Sequence, residues 1–273
     1  MVKAMGISRS GYYRSRKKPD GPRKQEERRL AEELKVIHKL KRQVYGSPKL
    51  RGELKKNGYR ISRQRVKKIM DKYGIIRKMK RKFVKTTDSK HKERWSPNLL
   101  VRDFSSPVPD AVWVSDITYI RTGEGFRYLC VIIDLYSRMV VGWSLGNRIT
   151  AGLAIAALDD AYRRRRPPKY LIFHSDGGKQ YVSKDFRERL KKYGMVQSMS
   201  GKGDPWDNAV AESFFAQLKK ELIHGCFFGT GEQLRAALFD HIEVFYNRQR
   251  GQKELGYWSP VEYEEMTALA KAA

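Results

Sequence analysis

At Val112 the chain changes from helical to strand periodicity, and the order of elements that follows leaves few folds open. The stretch VWVSDITYI (112–120) alternates with the period of two expected of a strand. A turn at Gly123–Gly125 leads into a second apolar run, YLCVIIDLYS, and MVVGWSL supplies a third. Their short connections make the three an antiparallel meander. Thr150–Arg164 places Ala and Leu on one helical face, YLIFHSD is a short apolar strand with a polar end, Lys184–Tyr193 is helical, and VQSMS is a last strand. Asp207–Ile223 and Thr230–Tyr246 are expected as helices, the second opened by a Thr230…Gln233 capping box, and Ser259-Pro260 starts a short final helix. The order βββ-α-β-α-β-α is that of an α/β, ribonuclease-H-like domain: a mixed sheet flanked by helices.

The 273-residue chain carries a formal net charge of +27, and the charge is unevenly placed. Residues 1–110 hold 34 Lys and Arg against 11 Asp and Glu, whereas residues 111–273 hold 23 against 19. A basic arm joined to a nearly balanced domain calls for a polyanion, and phosphate backbones bind such arms through counterion release. Within the arm, Leu30, Leu34, Ile37 and Leu40–Val44 have helical spacing. Ser47 is expected to cap a second helix with Pro48 at its first position, Leu50 and Leu54 inward and Gly58 at its end. Ser62 caps a third with Val66, Ile69 and Met70 inward and Gly74 after it. Two short helices joined by a Gly-containing turn make a small all-α helix-turn-helix region whose last helix offers Arg63, Gln64, Arg65, Lys67 and Lys68 to DNA. Residues 1–16 read as the second half of another helix-turn-helix, and residues 77–98 as a basic connector that tracks DNA. The expected division is 1–24, a partial helix-turn-helix end and linker; 25–76, the DNA-binding helices; 77–108, the connector; 109–226, the catalytic core; and 227–273, a helical extension of that core.

Three carboxylates stand out by position. Asp116 lies mid-strand, where Asp is disfavoured. Asp176 ends an apolar strand before Gly177-Gly178, and Glu212 lies in the first turns of a helix. They are separated by 59 and 35 residues. In the topology of that layered domain the first and fourth strands are neighbours, so their two acids can face one another, and the later helix crosses the sheet and brings Glu212 to the same point. Three gathered anions repel unless hard divalent cations join them, and oxygen ligands suit Mg²⁺, with Mn²⁺ able to replace it. Two such ions can clamp an in-line displacement at phosphorus. Lys219, seven residues after Glu212, falls on the same helical face, where it would meet DNA. His174, Ser175 and Asp176 are consecutive on a strand and therefore do not converge as a hydrolase triad. Cys130 and Cys226 lack a C-x-x-C arrangement and are read as small buried hydrophobes. Neither a signal peptide nor an apolar run of membrane-spanning length is present, which suits a cytoplasmic, nucleoid-associated protein with no membrane partner.

The stretches WVSDITYI (113–120), YLCVIIDLYSRMVVGW (128–143), HSDGGKQY (174–181), SMSGKGDPWDNAVAESFFAQLKKE (198–221) and FYNRQRGQKELGYWSP (245–260) together resemble the second-frame (OrfB) transposase of the IS-three insertion-sequence family. That family belongs to the retroviral integrase-like D,D,E superfamily. The resemblance continues upstream through YGSPKLRGELKKNGYRISRQRVKKIM and GISRSGYY, covering nearly the whole chain. It implies an integrase catalytic core in which Asp116, Asp176 and Glu212 are the catalytic acids and ligate two Mg²⁺ ions. It places Lys219 at the terminal phosphate and counts Asn208 and Arg248 among the DNA contacts. It implies cleavage of insertion-sequence ends and joining of the 3′-hydroxyl to other DNA, with terminal inverted repeats and target DNA as partners. A homo-oligomer on paired ends, and a first-frame (OrfA) protein or fusion, are implied as well. Gly177, Gly178 and Lys179 depart from the family's usual Arg or Gln, Gly, Ser; Gly201 replaces a usual basic residue; Gln252 stands where His is common. Two other readings stay open: a non-enzymatic DNA-binding regulator or inactive remnant of an element, and a nuclease of the same fold that cuts without joining.

Overall fold

The computed structural model describes residues 21–78, 96–100, 104–201 and 208–272. The expected helix-turn-helix fragment at residues 1–16 and most of the basic connector lie outside them. The chain divides into two compact units, Met1–Arg77 and Lys78–Ala273.

In the first unit, α1 (Pro22–Leu40), α2 (Ser47–Lys56) and α3 (Arg63–Lys72) bury Leu30, Leu34, Ile37, Leu50, Leu54, Val66, Ile69 and Met70. Apolar side chains at three- and four-residue intervals put one face of each helix inside. Leu40, expected inward, is 67% exposed, because α1 ends there and the turn that follows returns the chain to the core only at Val44. Ser47 is already helical; extended Gly46 takes the cap position and Pro48 the second turn-forming place. Ser62 does cap α3, accepting a hydrogen bond from the Arg65 amide at 3.2 Å. Gly58 and Gly74 follow α2 and α3 with positive φ, as helix-terminating glycines do.

The second unit is built on a five-stranded sheet: β1 (Val112–Thr122), β2 (Gly125–Asp134), β3 (Val140–Gly146), β4 (Ile172–Ser175) and β5 (Val196–Met199), in the order β3-β2-β1-β4-β5. The first three form the antiparallel meander; β4 and β5 add in parallel. Alternation along the strands supplies two cores. Val112, Val114 and Ile120 of β1 with Leu129, Val131 and Ile133 of β2 face α7 (Ala209–Leu218) and α8 (Gly231–Phe239). Trp113, Cys130 and Ile132 face α4 (Ala151–Arg165), α5 (Lys179–Val182) and α6 (Lys184–Lys192). The chain closes with α9 (Pro260–Ala272). On β3, Gly142 lets α4 approach so closely that an added Cβ would lie 2.6 Å from the Ala157 carbonyl oxygen.

The expected order of strands and helices is met, with local differences. The second strand stops at Asp134, whose carboxylate accepts hydrogen bonds from the Ser137 amide and hydroxyl and turns the chain before Met139. A short helix, α5, stands where no helix was expected. The two long helices near the carboxyl end each lose α geometry midway: α7 continues as π-helical turns through Lys219–Ile223, and α8 through Asp240–Tyr246. Thr230 caps α8 through the Gln233 amide, but the Gln233 side chain accepts from Gly229 rather than completing a reciprocal box. Residues 96–100, assigned to the connector, lie against β5: Met199 donates to the Pro97 carbonyl and the Leu99 amide to Ser198. Cys226 is exposed, not buried, since it falls in the turn after the π segment; Cys130 is buried between β1 and α5.

Candidate active site at the carboxyl ends of the parallel strands

The parallel register of β1 and β4 pairs Val112 with Ile172 and ends at Ser115 with Ser175. Asp116 and Asp176 are therefore the next residues on two neighbouring strands, at the carboxyl ends of their shared ladder. Crevices at such ends are where open α/β sheets bind ligands. β1 runs on past Asp116, still paired with β2 through Val131 on its other side. Asp116 continues the row of Val112 and Val114, so it is on the face that α7 covers. That helix carries Glu212 in its first turn.

The two aspartates are half-buried and Glu212 is exposed. Burial pushes the Asp116 carboxyl up to about 8; the charge of Asp176 adds to this and that of Glu212 contributes, against the Ile117 amide and Lys219. The Ile117 N–H donates to Asp116 Oδ1 at 2.7 Å. Asp176 Oδ1 accepts from the Gly178 amide at 3.1 Å, so the Gly-Gly pair bends the backbone around this acid. Burial likewise holds the Glu212 carboxyl above its usual range. Among the described residues, no three His, Cys, Asp or Glu side chains already form a metal cage.

Lys219 lies at the junction of α7 and the π turns, half-buried, with Nζ 5.4 Å from the centroid of the Tyr119 ring. Burial lowers its pKa, and the Asp116 charge opposes that shift. α geometry runs through Leu218 and Lys219 is itself αR, so the helical phase that puts Lys219 above Glu212 is kept, and the π turn, which adds a residue, alters it only beyond that point. The π turns are tied down by Arg250, which makes a two-pronged ion pair with Glu221 at 2.7 and 2.8 Å. Gln252 accepts from Arg250 at 2.8 Å, so the side chain standing in the usual place of His braces this pair.

Asn208, expected to meet DNA, is 7% exposed and turned into the protein. Its Nδ2 donates to the Ser115 carbonyl at 3.4 Å, linking the start of α7 to the residue before Asp116, while its Oδ1 is buried without a hydrogen bond. Beneath the acids, the Ser115 and Tyr181 hydroxyls share a hydrogen bond of 2.8 Å beside Cys130, whose thiol burial pushes up to about 12. Sequence reasoning passed over Tyr181, Asn208's inward role and Arg250. Little in the sequence marked Arg250, which stands among Asn247, Arg248, Gln249 and Gln252, residue types usually found at the surface. Arg248 is exposed on the segment after the second π turn. In the first unit, Arg63, Gln64, Lys67 and Lys68 are exposed on α3; Arg65 pairs with Glu26 at 3.2 Å and Lys67 with Asp71 at 2.9 Å. His174 is buried between Ser198 and Ser200 and stands apart from any nucleophile arrangement with Asp176.

Comparisons with known proteins agree with this architecture. Integrase core domain families match residues 107–205 and 212–268, and an HTH-like domain family matches residues 24–83. The chain is 40% identical over 266 residues to the transposase InsF for insertion sequence IS3A of Escherichia coli (strain K12), covering 97% of this chain and 92% of that one. It is also 40% identical over 265 residues to the uncharacterized 31 kDa protein of insertion element IS600 from Shigella sonnei, covering 97% of each. A chain of the simian T-cell lymphotropic virus intasome, solved with PP2A regulatory subunit B56 gamma, shares the fold at a TM-score of 0.50 and 16% identity, covering 84% of this chain and 73% of that one.

Proposed function

Because the chain belongs to the IS3 family of insertion-sequence transposases, DDE-type enzymes with an integrase core domain, we propose that it cuts the ends of its element and joins the freed 3′-hydroxyl to DNA at a site made by Asp116, Asp176 and Glu212. The observation that carries this reading is the register of β1 and β4, which makes Asp116 and Asp176 neighbours below the helix that bears Glu212. The donor set suits hard divalent cations: three carboxylates, with Asp116 kept protonated to about 8 by burial and by the charges of the other two acids. Two bound Mg²⁺ ions, or Mn²⁺, would supply Lewis-acid polarisation of the attacking and leaving oxygens in an in-line displacement at phosphorus.

The side chains divide the remaining work. Asp116 and Asp176, fixed by strand register and by the Ile117 and Gly178 amides, hold the ligand positions; Glu212 completes them from a helix that can adjust. Lys219 brings a cation to the phosphate entering the site, and Asn208 keeps the start of α7 against Ser115. Arg63, Gln64, Lys68 and Arg248, exposed and polar or basic, bind double-stranded DNA at the terminal repeats or target, with Arg65 and Lys67 contributing once released from their acidic neighbours. The division into DNA-binding helices and catalytic core, with a helical extension after residue 226, serves this reading. Assembly as an oligomer on two ends, with or without a first-frame protein, follows from the need to act on both ends of one element. Among the described residues no helix is long and apolar enough to cross a membrane.

Binding of Mn²⁺, followed by electron paramagnetic resonance with the full chain, tests the ligand set. Asp116→Asn and Asp176→Asn are each expected to weaken binding at least tenfold while the far-ultraviolet circular dichroism is retained. Unchanged Mn²⁺ affinity in both variants would assign these acids to structure.

A further inference from the structure

The β1–β2 hairpin carries an exposed aromatic pair, on the sheet face opposite Asp116, that the chemistry itself leaves unused. In the antiparallel register Tyr119 is opposite Tyr128 and Arg121 is opposite Phe126, so these four side chains share one face. The rings of Tyr119 and Phe126 meet edge to face, with centroids 5.5 Å apart at 89°. They are 39% and 50% exposed, large aromatic surface left to water at the far end of the sheet. The surface is also cationic: Lys219 reaches over the Tyr119 ring, and Arg121, opposite Phe126 in the register, is exposed. Lys219 follows directly on the helix that carries Glu212, so its side chain links that helix to the Tyr119 ring. The edge of β1 that faces β4 is paired only as far as Ser115, so among the described residues the strand edge from Asp116 to Tyr119 has no strand partner on that side.

Exposed aromatic rings interleaved with cations are how proteins hold unpaired nucleotides, because every base has a stacking face and every phosphate a charge. We infer that Tyr119 and Phe126 form a stacking platform for an unpaired base of a DNA strand that passes the open edge of β1 on its way to the three acids, with Lys219 meeting its phosphate at that edge. The inference rests on the proposed DNA chemistry and adds the class of ligand: a frayed or single-stranded end, not a fully paired one. Arg121 and Lys219 provide the charge complementarity that selects a nucleic acid over an apolar partner for this surface.

The test uses the full chain without divalent metal and two DNA probes of the same duplex sequence. One is fully paired; the other ends in a short single-stranded extension carrying 2-aminopurine. The chain is expected to bind the extended probe more tightly and to quench its emission by stacking. Phe126→Ala and Tyr119→Leu are expected to remove the quenching and to weaken binding of the extended probe by about tenfold, leaving the paired probe unaffected. Tyr119→Phe, which keeps the ring, is expected to restore both, and this separates stacking from a folding defect. Equal affinity for the two probes, or quenching that survives in Phe126→Ala, overturns the inference and leaves the three-acid reading standing. Retention of the preference for the extended probe in a chain whose Asp116→Asn variant still joins DNA would uphold the platform and sink the acids instead.

Discussion

At the scale of single residues, Asp116 carries the most consequence. A carboxyl in water titrates near 4; burial and two neighbouring acids raise this one to about 8. Between those values the folded chain holds a proton that the unfolded chain has shed. Metal-free stability therefore falls as pH rises from about 4 to about 8, the sign expected for an acid whose folded pKa is raised. A cation must displace that proton, so the affinity for Mg²⁺ or Mn²⁺ is expected to rise roughly tenfold per pH unit below about 8 and to level off above it. Calorimetric titrations in buffers of different ionisation heat would register the released proton. A flat affinity between pH 6 and 8 would mean that Asp116 is already ionised or is not a ligand. Asp116 was legible in the sequence because Asp is out of place in mid-strand. The inward turn of Asn208 was not, since an Asn ahead of a helix reads equally as a cap, a surface contact or a strut; only packing against Ser115 decides.

At the scale of elements, strand alternation and turn residues disclosed the strands and the meander, because those depend on local periodicity, while the pairing of β1 with β4 is a long-range contact that only the layered topology suggested. The π turns escaped, since a helix with one extra residue keeps its apolar stripe for too few turns to betray the change. Their stability comes from long-range partners such as Arg250 and Glu221, whose side chains are 4% and 6% exposed. Removing one member of a buried ion pair leaves a charge without its counter-charge, so Arg250→Ala is expected to lower unfolding stability by about 3–5 kcal/mol in urea denaturation. A loss below 1 kcal/mol would show that the pair does not hold the π turns. On α3, Arg63 and Lys68 are exposed, whereas Arg65 shares Glu26. Neutralising Arg63 and Lys68 together is expected to reduce the slope of log affinity against log salt by about 2, with neutralisation of Arg65 alone having a smaller effect. An unchanged slope in the double variant would remove α3 from the DNA interface.

At the scale of the whole molecule, the uneven charge sets a basic first part, residues 1–110, apart from a nearly balanced second part, whereas the two compact units, Met1–Arg77 and Lys78–Ala273, divide earlier in the chain. The exposure of Glu212 and the absence of a ready metal cage among the described residues were not readable, because spacing along a chain fixes which acids can meet and not how far a side chain must travel to do so. The central claim is that these three acids perform phosphodiester transfer. Its most direct test is nicking and strand joining of plasmid DNA in Mg²⁺ or Mn²⁺, comparing the natural chain with Glu212→Gln. The account predicts metal-dependent products from the natural chain and a loss of at least a hundredfold in the variant, with DNA binding retained. Equal joining by the two chains would contradict it.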